Sequence, residues 1–272
     1  MLQKLGSRYH ARFRATGACI GAPPPVGRII PGTSALRNGP HAGDGHECES
    51  SQVRPALGIS GDGLLVIDTQ FADTAPNLLA GLKERSPRQI DVLINSHHHP
   101  DHTGGNGVLR PAVKQIVAHV RSSENQKAQA ERAKAPTTLP DVTFPDTWSV
   151  TLGDETIRAK HWGPAHTGGD VAIHFEQANV VHLGDLLNNR GYPVVDAPAG
   201  ASVHGWMQVL EKMAAAYPAD ALYVFGHAEA GHPFIGTRTD LHYQRDYFTA
   251  VVAMARDARR SGKSRDELAT VR

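Results

Sequence analysis

The chain is poor in several things that usually announce a function. It has only two cysteines, Cys19 and Cys48, in 272 residues. Two cysteines can form one disulfide at most, and no framework spacing surrounds them, so they do not report a compartment. Neither sign of charge is in excess: 28 Lys and Arg stand against 27 Asp and Glu, a net charge of +1. That balance argues against nucleic acid or an anionic membrane as the main partner. No apolar run approaches the ~18–20 residues that span a bilayer. The opening MLQKLGSRYHARFRATGACIGAPPPVG lacks the ~7–15-residue apolar stretch of a secretory signal, so a soluble protein is expected, with the cytoplasm favoured over the periplasm. A P-loop, a Rossmann glycine fingerprint and a G-x-S-x-G elbow are all absent.

What is present is an ordinary globular composition, 40% hydrophobic and 20% charged, with 16 histidines. The length suits one large domain with an ample core. Residues 1–52 are rich in Gly, Pro, Arg and His, show neither helical nor strand periodicity, and read as an irregular or disordered leader with at most a short strand near 27–30. The first sheet edge is therefore expected to be incomplete.

Order begins after residue 52, and residues 53–272 read as one domain. ALGIS and LLVID flank Gly61-Asp62-Gly63, a hairpin signal. TAPNLLAGLKERS (74–86) reads as a helix with Thr74 as N-cap. IDVLINS (90–96) is a buried strand and QIVAHV (115–120) another. SSENQKAQAERAKA (122–135) reads as a polar surface helix, and residues 136–145 as a connector. TWSVTL, ETIRAKHW, VAIHFE and NVVHLGD then read as strands, with Gly153-Asp154 and Gln177-Ala178-Asn179 as turns. Helix 203–217, strand 221–227 and helix 238–260 complete the chain. Alternating strands and helices around a meander predict two sheets between helices, an αββα sandwich of the α/β class.

The histidines concentrate in HHHPDH (97–102), directly after strand 90–96. Alternate residues at a strand end share a direction, so His97 and His99 can meet one metal while Asp101 and His102 turn towards a second. Gly104-Gly105 permits a close turn there. One loop supplies too few ligands, and three further candidates lie at strand ends that enter glycine-containing loops: His166 in GPAHTGGD, Asp185 in VVHLGD and His227 in YVFGH.

These motifs, in this order and spacing, resemble the metallo-β-lactamase superfamily from about Ala56 to His227, whose fold is the αββα sandwich. IDTQF (67–71), YPVVD (192–196) and AGAS (199–202) resemble its bacterial β-lactamase-like branch. The resemblance implies two zinc ions. His97, His99 and His166 would hold the first, Asp101, His102 and His227 the second, and Asp185 would bridge them. Manganese or iron also suits an all-nitrogen-and-oxygen set. Aspartate at position 185, where the best-known β-lactamases carry cysteine, is the pattern of thioesterases, lactonases and phosphodiesterases.

The implied chemistry is a metal-bridging hydroxide attacking an amide- or ester-type bond (a β-lactam, lactone or thioester) in a small-molecule substrate, with Asp101 orienting it. Asp68 resembles the aspartate that fixes a metal-binding histidine from behind. Asn188, Asn189 and Arg190 are candidates to bind a substrate carboxylate. The alternative is a mononuclear iron oxidoreductase of the persulfide-dioxygenase kind. A nuclease is disfavoured, because no inserted domain fits between Asp185 and His227. Of the other histidines, His98 is expected to point away by alternation. His174 and His182 are expected to be structural, and His119, His161, His204, His232 and His242 to be surface or packing residues. His10, His41 and His46 fall in the leader. Trp206 and Met207 are read as core. Loops 29–53 and 186–203 are where specificity is expected.

Overall fold

A computed structural model describes residues 28–31, 56–60, 63–264 and 266–267. The rest of the leader, with Cys19, Cys48, His10, His41 and His46, lies outside the described residues, as do Gly61 and Asp62.

Two six-stranded sheets form the centre. The first runs β1 (Arg28–Pro31), β2 (Ala56–Ser60), β3 (Gly63–Ile67), β4 (Ile90–Asn95), β5 (Val113–His119), β6 (Val142–Phe144) in spatial order. β1 lies antiparallel on β2, so the leader does contribute a strand, one residue along from the expected position. β2 and β3 pair antiparallel with Ser60 opposite Gly63, as a hairpin requires, and β3 to β6 run parallel. The second sheet uses β7 (Thr147–Leu152), β8 (Glu155–Lys160), β9 (Ala172–Phe175), β10 (Val180–His182), β12 (Leu222–Val224) and β14 (Ile235–Gly236), in the order β14-β12-β10-β9-β8-β7. A two-stranded ladder joins β11 (Asn188–Asn189) to β13 (His227–Ala228).

Period-two alternation decides which face each residue serves. Leu65, Ile67, Val92 and Ile94 point between the sheets and meet Ile157, Ile173 and Phe175. Their neighbours Leu64, Val66 and Leu93 point outward under helix α1 (Ala75–Arg85), where Ala75 and Leu82 cover them. The second sheet is covered by α3 (Val203–Ala216) and α4 (Arg238–Arg260), with Val181 and Tyr223 packed beneath Trp206, Leu210, Met213, Leu241 and Phe248. Each fully buried aliphatic or aromatic side chain there contributes ~1.5–3 kcal/mol. The layering is the expected αββα sandwich. Trp206 is core, and its indole donates to Leu186 O at 2.9 Å.

Local details differ from expectation in instructive ways. Thr74 precedes α1 but donates its hydroxyl to Phe71 O, so no side chain caps that helix. Helix α2 (Val120–Ala133) begins two residues early, because the His119 ring accepts the Arg121 N–H and caps it. The connector 136–145 contains β6, which pairs with β5. Helix α4 spans 238–260 as expected, fixed by a Thr237/Asp240 capping box. Asn179 and Gly153 turn with positive φ at the two turns read from sequence.

Candidate metal centre

The topology brings the chemistry-bearing loops to one rim. β3, β4 and β5 are parallel, so Asp68, the HHHPDH loop and His119 follow at the same end. β10 and β12 are parallel with His182 opposite Val224, so Asp185 and His227, each three residues further on, emerge side by side. The loop before β9, which carries His166, reaches that rim because β9 is antiparallel to β10. Val171 N donates to Ser96 O at 2.9 Å, tying this loop to the end of β4.

The seven residues read from the sequence converge. His97 Nε2 and His166 Nε2 lie 3.1 and 2.9 Å from His99 Nδ1. Asp185 Oδ2 lies 3.8 Å from His97 Nε2 and 3.5 Å from His166 Nε2. In the second set His227 Nε2 lies 3.2 Å from both Asp101 Oδ2 and Asp185 Oδ2, and His102 Nε2 lies 3.1 Å from Asp185 Oδ1. Each set offers four ligand atoms within 4.8 Å of one another, and Asp185 belongs to both.

Whether these groups fit a cation follows from where their protons must be. His166 Nδ1 faces Val194 O at 2.7 Å, and a carbonyl only accepts, so Nδ1 carries the hydrogen. His102 Nδ1 faces Asp68 Oδ2 at 2.7 Å and His99 Nε2 faces Asp196 Oδ2 at 2.9 Å, with the same consequence. In the neutral rings the opposite nitrogens, His166 Nε2, His102 Nε2 and His99 Nδ1, are therefore bare lone pairs aimed at each other and at carboxylate oxygens. Such a cluster is repulsive without positive charge inside it. His102 Nε2 and Asp185 Oδ1 are buried, and while the ring's one hydrogen is held on Nδ1 by Asp68 neither atom has a donor to satisfy it. The residues fit one or two divalent cations.

Electrostatics without metal show the same demand. Burial would raise Asp185, but His102, His227 and His97 hold its carboxyl well below the usual range. Burial would lower His102 and His227, but Asp185 raises both, His102 well above an ordinary imidazole and His227 to about 9. Protons on these rings take the place that a cation would otherwise fill.

The supporting residues are specific. Asp68, fully buried at φ +61°, accepts Ser96 N and Ser96 Oγ at 2.7 Å as well as the His102 ring. Two glycines are dictated by contact. Gly184 turns at φ +50° against Ser96 Oγ, and a Cβ on Gly226 would stand 2.2 Å from Asp185 Oδ1.

The candidate substrate residues lie beside the site, on the ladder that pairs Asn188 with His227. Asn189 is buried with its amide on Pro233 O, and Asn188 uses its backbone N–H on Gln244 and its amide on Tyr192 O. The Arg190 guanidinium stacks on the Tyr243 ring at 3.5 Å. These four contacts hold the β11 segment to its surroundings. His98 departs from expectation. It is buried, and its Nε2 is 3.5 Å from Asp196 Oδ2, because the chain has left strand geometry after Asn95 and alternation no longer applies. His174 meets the Tyr217 ring edge-on, His119 stacks on His161, and His204 bonds Arg256. Asp196 was missed as a site residue. The available signal was an Asp preceding Ala-Pro-Ala-Gly, a capping pattern, within the YPVVD segment.

Known proteins share both sequence and fold. Residues 56–227 match the family described as the metallo-beta-lactamase superfamily. The chain is 22% identical over 167 residues to metallo-beta-lactamase type 2 of Bacteroides fragilis, covering 61% of this chain and 65% of that one. It is 31% identical over 155 residues to a hydroxyacylglutathione hydrolase of Cereibacter sphaeroides, covering 55% and 52%. It is 27% identical over 139 residues to the alpha subunit of 2,4-dinitroanisole O-demethylase of a Nocardioides strain, covering 48% and 40%. The chain thus spans between two-fifths and two-thirds of these curated relatives. A metallo-beta-lactamase structure from Pontibacter korlensis superposes with a TM-score of 0.61 at 21% identity, covering 72% of this chain and 87% of the other. The chain belongs to the metallo-beta-lactamase superfamily. No helix among the described residues is long and apolar enough to cross a membrane.

Proposed function

We propose that this protein is a dinuclear zinc hydrolase that cleaves an amide- or ester-type carbonyl bond in a small molecule. The observation that carries the reading is the pair of four-ligand His/Asp sets sharing Asp185. His97, His99 and His166 would hold one ion, Asp101, His102 and His227 the other, with Asp185 between them. Nitrogen and carboxylate donors suit zinc, with manganese or iron as alternatives. Bound divalent cations supply Lewis acidity and lower the pKa of water from ~15.7 to about 7.

The chain's own residues do the rest. Asp101, half-buried beside His227, orients the attacking water and holds its proton. Asp68 and Val194 O fix the His102 and His166 rings with their free nitrogens inward. Tyr192, Val194 and Val195 are exposed on the loop that bonds His166. They offer apolar contact for the non-reacting part of a substrate. Relatives named hydroxyacylglutathione hydrolase and metallo-beta-lactamase favour acyl substrates, with thioesters and β-lactams as the two classes to test.

The test is hydrolysis of a chromogenic cephalosporin, an acyl thioester and a lactone by zinc-reconstituted protein, with Asp185→Ala as control. Turnover of at least one, lost in the control, supports the reading. Folded, zinc-loaded protein inert towards all three would overturn the carbonyl assignment.

A further inference from the structure

Asp196 belongs to neither four-ligand set, although with His98 and His99 it forms a further three-residue cluster, and it touches the site at more than one point. Its Oδ2 lies 2.9 Å from His99 Nε2 and 3.5 Å from His98 Nε2. Its Oδ1 caps a 3-10 turn over Ala197–Ala199 by accepting Ala199 N at 3.2 Å. Its backbone N donates to His166 O at 3.2 Å. One residue thus fixes the turn, meets the ring of one metal-set histidine and meets the backbone of another.

We infer that Asp196 is a positioning residue that holds His99 in the tautomer able to ligate a metal through Nδ1. This rests on the proposed metal site. A neutral imidazole carries one ring proton, so a carboxylate at Nε2 draws the proton there and leaves Nδ1 bare. His99 needs this more than its neighbours, because its Nδ1 is the atom that His97 Nε2 and His166 Nε2 both face. His98 lies against the same oxygen with its own Nδ1 buried and unbonded, so it adds a second imidazole that keeps the carboxylate turned into the cluster.

The oxygens are divided in a way that makes a clean variant. Asp196→Asn keeps an oxygen to cap Ala199, as asparagine is as good a cap as aspartate. It puts an NH2 group opposite His99 Nε2. That donor is satisfied by the other tautomer, in which the proton sits on Nδ1 and blocks ligation. The same oxygen cannot serve both the cap and the ring.

The experiment is zinc competition against a chromophoric chelator, with cobalt absorption spectra and thermal melting of metal-free protein, on wild type, Asp196→Asn and Asp196→Glu. The expected result is ~10–100-fold weaker binding of one zinc equivalent in Asp196→Asn, an altered cobalt spectrum, an unchanged metal-free Tm, and partial recovery in Asp196→Glu. Unchanged zinc affinity in Asp196→Asn overturns the inference. So does a weaker affinity matched by a lower metal-free Tm, because the residue would then be structural only. Failure of wild type to bind zinc overturns instead the metal-site reading on which the inference stands.

Discussion

Asp68 Oδ2 and His102 Nδ1 are 2.7 Å apart, and both side chains are wholly buried. The carboxylate stands one shell behind a ligand histidine and also takes both hydrogens that Ser96 offers. Asp68→Ala leaves the Ser96 N–H and the His102 Nδ1–H without acceptors, each at about 1–3 kcal/mol. Zinc affinity is expected to fall ~10–100-fold and the metal-free Tm to fall with it. Asp68→Asn tolerates the positive φ better, so its Tm loss is expected to be smaller than its affinity loss. Equal affinity in both variants and wild type would remove Asp68 from the account.

Gly226 carries a sharper steric demand. A methyl group there would meet Asp185 Oδ1 at 2.2 Å and the Gly184 backbone at 2.6 Å. Backbone cannot yield as a flexible side chain does, so Gly226→Ala is expected to push Asp185 off both ion positions. The prediction is loss of zinc from the protein by elemental analysis, with helical circular dichroism retained. Full zinc content in the variant would contradict the placement of Asp185.

Metal binding is expected to release protons. Burial would lower His227 and His102, but Asp185 raises them, His227 to about 9. Both rings therefore hold a proton at neutral pH in the metal-free protein, and a cation must displace it. Since the folded values are raised, affinity should climb as pH rises through about 9, where His227 gives up its extra proton. Isothermal titration in buffers of different ionisation enthalpy reports the protons released. A pH-independent affinity between 6 and 9 would count against the cluster's electrostatics.

The cap of α2 predicts an acid-side effect that does not involve the seven clustered residues. Burial, then the neighbouring His161, lowers His119 from an ordinary 6.5 to about 4. The folded value is the depressed one, so the neutral ring's stabilisation is complete above 6.5 and is lost as pH falls towards 4. Wild type should lose Tm over that window. His119→Asn, which caps without titrating, should lose less. Parallel melting curves would show that the cap does not matter.

The sandwich was legible because its core strands carry strong patterns. The 90–95 strand is apolar but for Asp91 and Asn95, and α4 has both its cap and its end written in the chain. Strands β6, β11 and β14 were not legible. Each has only two or three residues, too short for a period, and exists because a neighbouring strand offers it hydrogen bonds. The seven convergent residues were readable because their motifs follow β4, β8, β10 and β12 and sit in loops that contain glycine. Asp196 and His98 were not, since their roles depend on a loop folding back across the site from a hundred residues away. Arg190 reads as a candidate substrate cation from its position, and the structure adds that its guanidinium lies over the Tyr243 ring, 3.9 Å from Asp240 Oδ1.

The most direct test of the account is the number of zinc ions that one folded chain retains after dialysis, by elemental analysis with protein quantified on the same sample. Two ions in wild type and at most one in His227→Ala are predicted, because His227 serves only the second set. A folded wild-type chain that holds one ion or none would contradict the paired site at its root.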